Sequence, residues 1–254
     1  YDESAMVEID SAVMAELVDK TIFSIALDKE NMFTLTAALL EKFRENDQTY
    51  LKMISSDGHR LTIMTREVDA AIDNLQLKPL TLIPRRGVQE IRKFCENRNS
   101  FLFGVEEKQA VLKSSESLLV IRLMEGDFPD FQGLLDSLTR ENTILIDRNR
   151  FLESLKRINL FTEDMFHAIK MEVNGTTMVL TSQNADFGSA RDEFEVEYDG
   201  EPLMLGFNCR YFIDSLQVME GNTVGASINS QESPCLITSE EDKGFLSVIM
   251  PMKL

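Results

Sequence analysis

The chain contains no tryptophan, two histidines, three cysteines and six prolines among its 254 residues. With only His59 and His167 available, a histidine-rich metal centre is excluded. Cys95, Cys209 and Cys235 are widely spaced, odd in number and form no CxxC. A disulfide framework or zinc site is therefore not expected, and a reducing cytoplasm is the default compartment. No apolar run approaches the roughly 18 residues that span a bilayer, and no signal peptide is read, so no membrane partner is expected. Neither a P-loop nor GxGxxG occurs, and there is no GxSxG elbow. Positive charge is scarce as well. Lys and Arg number 26 against 43 Asp and Glu, a net charge of −17, which at first sight argues against nucleic acid.

Hydrophobic content of 43% and charged content of 27% fit a folded globular protein. The length suits one large core or two of roughly 125 residues. Internal repetition favours two. VEIDSAVMAELVDKTIFSI from Val7 resembles ILIDRNRFLESLKRINLFT from Ile144, each a short strand, an Asp at the N-cap position (Asp10, Asp147) and an amphipathic helix. YLKMISSDG matches TMVLTSQNA, aligning Ser56 with Ser182. LTLIPRRGVQEIRKFC matches LMLGFNCRYFIDSLQVM, aligning Leu82 with Leu205, and SLLVIRLM matches GFLSVIMP. Four elements recur in one order at nearly constant spacing, the mark of a tandem duplication. The Gly, Pro and acidic residues of EGDFPDFQGLLDS read as the linker, dividing the chain into 1–130 and 131–254. Helices are expected over 11–23, 85–97, 148–161 and 208–219, among short alternating strands. Two helices against antiparallel sheets in each half define an α+β fold.

The basic residues are not spread evenly. From Arg85 to Cys95 the chain carries Arg85, Arg86, Arg92 and Lys93 against a single acid, Glu90. From Asp147 to Phe161 it carries Arg148, Arg150, Lys156 and Arg157 against Asp147 and Glu153. One basic helix per half is consistent either with ordinary solvated faces or with a weak, sequence-independent phosphate-facing surface.

In SSDGHRL, Ser56, Asp57 and His59 lie side by side, but a catalytic triad needs its members on different elements. Neighbouring side chains on one turn diverge, so a hairpin turn is the better reading and enzyme chemistry the weaker class. The chain ends FLSVIMPMKL, apolar to its last residue. Such a tail either docks on its own core or lines an adaptable, methionine-rich groove for partner peptides.

With SDGHRL at 56–61, IPRRGV at 83–88, GDFPDF at 126–131, LGFN at 205–208 followed by Tyr211, and VIMPMKL at 248–254, the chain resembles the bacterial DNA sliding clamp family, the beta subunit of DNA polymerase III, essentially end to end. The resemblance covers the second and third of the family's three modules. The chain also opens without an initiator methionine, so a fragment lacking the first module is expected.

The resemblance implies tandem clamp domains, a processivity role on double-stranded DNA, no catalysis by this chain and no cofactor. It implies a homodimeric ring at full length and a monomer for this chain, with helices facing the DNA through Arg85, Arg86, Arg92, Lys93, Arg148, Arg150, Lys156 and Arg157. Leu160 and Phe161 fall at the implied subunit interface. Partners such as the replicative polymerase alpha subunit, the clamp loader, other polymerases and repair proteins are implied to bind through a short Gln/Leu/Phe motif. Its pocket between the two modules would take Leu35, Ser56, Gly58, His59, Arg60 and Leu61 from the first half and Pro129 and Leu134 from the linker. From the second half come Phe166, Asn208, Tyr211, Val248, Met250, Pro251, Met252 and Leu254. His59, Arg60 and Asn208 are expected to hydrogen-bond the peptide backbone.

Overall fold

A computed structural model describes residues 1–27, 33–163 and 165–254. The chain divides into two compact units, Tyr1–Pro129 and Asp130–Leu254. In the first, β1 (Val7–Asp10) leads into α1 (Ser11–Asp19), followed by β2 (Ala37–Glu45), β3 (Gln48–Ser56) and β4 (Arg60–Val68). Then come β5 (Thr81–Pro84), α2 (Arg85–Phe94), β6 (Ser100–Val105), β7 (Gln109–Lys113) and β8 (Leu118–Arg122). The second opens on a short helix, α3 (Phe131–Ser137), and then repeats the sequence of elements. Its members are β9 (Thr143–Asp147), α4 (Arg148–Asn159), β10 (Ala168–Asn174), β11 (Thr177–Asn184), β12 (Gly188–Glu195), β13 (Leu203–Asn208), α5 (Cys209–Val218), β14 (Thr223–Ile228), β15 (Cys235–Thr238) and β16 (Phe245–Ile249).

The duplication is explicit in the pairing. Within the first unit the strands are ordered β1-β6-β7-β8 and β5-β2-β3-β4; within the second, β9-β14-β15-β16 and β13-β10-β11-β12. All these pairings are antiparallel. In each unit the two main helices pack on one another, α1 with α2 and α4 with α5. Apolar spacing dictates the buried faces: Met14, Leu17 and Val18 in α1, Val88, Ile91 and Phe94 in α2, Phe151, Leu155 and Ile158 in α4, Phe212, Ile213 and Leu216 in α5. Asp10 starts α1 by accepting from the N–H groups of Ala12 and Val13 at 2.7 and 3.1 Å, and Asp147 starts α4 by accepting from Arg150 N at 2.8 Å.

Three readings of the sequence are corrected. The linker carries a helix that was not among those expected: Asp130 accepts from Gly133 N at 3.1 Å and caps α3. Helices α1, α2 and α4 stop two to four residues before their expected ends. After α1 the Thr21 hydroxyl donates to Leu17 O at 2.7 Å and a 3-10 turn follows, while beyond α2 Asn97 takes a φ of 60°. The repeat register also moves by one residue. Ser55 Oγ donates to Thr21 O behind α1, and Ser182 Oγ donates to Ile158 O at the matching place in α4. Ser55, not Ser56, is thus the counterpart of Ser182. Likewise Leu82 O accepts from Met124 N at 2.9 Å where Gly206 O accepts from Met252 N at 2.7 Å. Leu82 therefore corresponds to Gly206, and a one-residue slip in a strand exchanges its faces.

Candidate functional site

The SSDGHRL stretch is the β3–β4 turn, reversed at Gly58 with a φ of 88°. Asp57 Oδ1 accepts from the N–H groups of His59 and Arg60 at 3.0 and 3.1 Å, and Oδ2 accepts from Arg60 Nε at 3.0 Å. Ser56 Oγ donates to Arg60 O at 2.8 Å and accepts from Gly58 N at 3.1 Å. Ser56 and Asp57 therefore build the turn and do not converge as nucleophile and orienting acid. Beneath it lies a buried hydroxyl network joining Ser24, Ser55 and Thr62, in which Ser55 and Thr62 lie 2.9 Å apart. The result is a rigid turn presenting Gly58 and His59 at the surface. Arg60, expected to hydrogen-bond a peptide, donates from Nη2 to Phe23 O at 2.8 Å, and its guanidinium lies 5.6 Å from the Phe23 ring centre. Leu35 and Leu61 are buried, so they support this surface from below.

In the second unit β16 ends at Ile249 and the tail turns back across β13. Gly206 makes this possible, because a Cβ there would stand 2.9 Å from both Met252 O and Leu254 Cδ2. Between them lies a groove of about 650 Å³, lined by Met204, Leu205, Gly206, Gln231, Glu232, Pro251, Met252, Lys253 and Leu254. Pro251, Met252 and Leu254 were expected to bind; Met204, Gly206 and Gln231 were not. Gly206 was hidden in the LGFN motif, where the sequence gives no sign of what approaches it. Val248 is buried, and Asn208 accepts from Arg210 N at 3.0 Å through Oδ1 as the cap of α5. Tyr211 is half-buried, Leu134 is half-buried on α3, and Pro129, Phe166 and Met250 are exposed.

The basic helices divide into fixed and available cations. Arg85 Nη1 donates to the carbonyls of Ile22 and Ile25, each at 2.9 Å, and burial, followed by nearby Arg60, lowers its pKa. Arg148 donates to Gly221 O at 2.8 Å and Leu216 O at 3.0 Å. Both were expected to face DNA, and each holds main-chain carbonyls of its own unit. Arg92 pairs with Asp19 at 2.7 Å and Lys93 with Glu90 at 3.0 Å. Asp192 on β12 serves two guanidiniums, receiving Arg150 through both Nη atoms at 3.0 Å and Arg157 at 2.8 Å. Among the described residues, exposed Arg86 and Lys156 have no ion pair.

Arg210 joins them and was missed. It is the second residue of α5 as Arg86 is of α2, so the repeat places an exposed cation at matching first turns. A cation there opposes the helix dipole, so neither gains from its helix. Leu160, just beyond α4, is 72% exposed, and Phe161 is half-buried.

The hydrogen bonds from Arg150, chiefly, hold Asp192 well below the ordinary carboxylate pKa. A depressed folded pKa contributes stability that is present above the unfolded value of about 3.9 and is lost as pH falls toward the folded one. Asp192→Asn is expected to cost about 1.5–3 kcal/mol at neutral pH by urea denaturation. The gap from wild type should narrow as pH falls below about 4; a gap that widens in acid would show the pair is not the source.

The buried thiols are unsuited to nucleophilic chemistry: desolvation pushes Cys95 up to about 11 and Cys209 up to about 12. Among the described residues, no group of three or more His, Cys, Asp or Glu side chains is placed to hold a metal, and no helix is long and apolar enough to cross a membrane.

Doubled α+β units, each with two helices packed on antiparallel sheets, define a tandem protein of repeated domains. Residues 8–130 match the family model for the DNA polymerase III beta subunit central domain, and residues 139–253 match that for its C-terminal domain; the chain belongs to this family. It is 26% identical over 254 residues to the beta sliding clamp of Caulobacter vibrioides, covering 99% of this chain and 66% of that protein. With the beta sliding clamp of Chlamydia muridarum the identity is 28% over 252 residues, covering 97% and 64%. The crystal structure of the Caulobacter crescentus beta sliding clamp superposes with a TM-score of 0.91 at 25% identity, covering 98% of this chain and 65% of that one. The sliding clamp of Bartonella birtlesii, solved bound to griselimycin, shares the fold with a TM-score of 0.89 at 24% identity, covering 98% and 66%. The chain spans just under two thirds of the length of these relatives.

Proposed function

We propose that the chain serves as a DNA polymerase processivity factor: a sliding clamp that encircles double-stranded DNA in a homodimeric ring and tethers partner proteins through short peptide motifs. The observation that carries this reading is the ordered match of both units to successive domains of one clamp family. The charge distribution supports it physically. A protein of net charge −17 that keeps Arg86, Lys156 and Arg210 exposed suits weak sliding contact, since encirclement retains DNA without tight phosphate binding. Most other cations of the basic helices are neutralised by nearby acids or carbonyls, which keeps that contact weak.

Docking of the replicative polymerase alpha subunit, clamp loader, other polymerases and repair proteins is assigned to the tail groove. Catalysis is assigned to those partners, and Leu160 and Phe161 to a subunit interface. A labelled peptide of the pattern Gln-Leu-x-Leu-Phe is expected to bind in the micromolar range, on the order of 8 kcal/mol. Removal of Met252–Leu254 should abolish the polarisation signal. Binding unchanged by that deletion would sink the groove assignment.

A further inference from the structure

Strand β13 stands at the end of the order β12-β11-β10-β13. One side of it is fully paired with β10, from Leu203 opposite Val173 to Asn208 opposite Ala168. On the other side only one isolated bridge forms, where the tail's Met252 N donates to Gly206 O at 2.7 Å. In an antiparallel strand the main-chain groups of alternate residues point the same way. Met204, two residues before Gly206, therefore directs its N–H and C=O to the same open side. Among the described residues neither group makes a hydrogen bond on that side. The Met204 side chain is also exposed, at 44%. An edge carrying a free donor and acceptor beside apolar surface is a template for another strand.

The space beside this edge fits that use. The tail groove continues past Met204 and Gln231 into a second groove of about 470 Å³ over Glu172 and Val179. Glu232 on the rim is exposed and has no ion pair among the described residues, whereas Glu172 has Lys170 at 3.3 Å and Lys253 lines the far side. The tail already demonstrates that extended chain is accepted here, since it has added one bridge to the same edge.

Resting on the docking reading above, we propose that the residues adjoining a partner's docking motif add as a short extended strand to β13 at Met204, with a basic side chain facing Glu232. Main-chain hydrogen bonds would supply sequence-tolerant affinity and the rim carboxylate a preference for Lys or Arg. The probe is the labelled Gln-Leu-x-Leu-Phe peptide extended by two lysines, at either end, compared with the bare motif and with a two-glutamate extension.

Amide hydrogen exchange at Met204 is expected to slow by roughly tenfold or more in the complex with the lysine-extended peptide. Met204→Pro, which removes only the outward N–H of an edge strand, should weaken that peptide while Met204→Ala retains most of its affinity. Binding of the bare motif with Met204 exchange unchanged by the extended peptide overturns strand addition and leaves the docking reading standing. Equal affinity for lysine and glutamate extensions overturns the role of Glu232. Absence of binding by every peptide overturns the docking reading and this inference with it. The exchange measurement on the unmodified chain stands even if Met204→Pro does not fold.

Discussion

Replacing Gly206 with valine is expected to unseat the tail and to reduce motif-peptide binding by at least roughly tenfold, about 1.4 kcal/mol, while leaving the fold intact. The argument is one of close approach. Any Cβ at this position meets Met252 O and Leu254 Cδ2, each at 2.9 Å, and the first of these is main chain that cannot rotate away. The φ of Gly206 is not positive, so valine suits the strand itself and the conflict falls on the tail alone. Release removes the Met252 N–H to Gly206 O bond at 2.7 Å, and with it the wall formed by Pro251, Met252 and Leu254. The tail contributes little to the core, so a midpoint shift in urea should be small. Faster exchange of the Met252 amide, read together with polarisation, checks the chain of cause. A protected Met252 amide with unchanged peptide affinity in the variant would show that Gly206 is not what seats the tail.

The same residue shows where reading the sequence succeeds and where it stops. Local chemistry was legible. Asp10 and Asp147 cap their helices because a carboxylate one residue before an amphipathic run has few other uses, and alternation marked β3, β4 and β11. The duplication was legible as order and spacing. Its register was not, because adjacent Ser55 and Ser56 offer the same letter and only burial tells them apart: Ser55 is buried, Ser56 half-exposed. The two cores also differ in chemistry at equivalent places. Met14, Val88 and Ile83 in the first unit stand where the second has Phe151, Phe212 and Phe207, so the repeats share geometry without sharing residues.

Cations were the least legible feature. Arg85 and Arg86 are identical in sequence terms, yet one is committed to carbonyls some sixty positions away and the other is exposed. No spacing rule reports that difference, since it depends on the path of the chain after α1. Arg210 escaped notice for the converse reason: its helix has a single cation in its first turn and no basic run. Only the repeat, once its register is set by structure, identifies Arg210 as the partner of Arg86. A similar logic applies to the tail groove, whose floor at Gly206 corresponds to Leu82 in the first unit, where a side chain occupies the position left open in the second.

The aromatic core of the second unit carries the largest expected stability effect. Phe212 is fully buried between Phe151, at 5.7 Å between ring centres, and Phe207, at 5.0 Å and near-perpendicular. It ties α5 to both α4 and β13, the strand that bears Met204 and Gly206. Phe212→Ala removes a ring whose neighbours are themselves rings, held by one helix and one strand, so the cavity cannot collapse easily. The expected cost is about 3–5 kcal/mol in urea denaturation. Phe212→Leu keeps most of the volume and should cost about 1.5 kcal/mol or less. Peptide binding offers a second readout, because loosening β13 from α5 disturbs the seat of the tail even where the chain stays folded. A cost for Phe212→Ala below about 1 kcal/mol would mean the site relaxes and that the aromatic cluster is not what fixes β13.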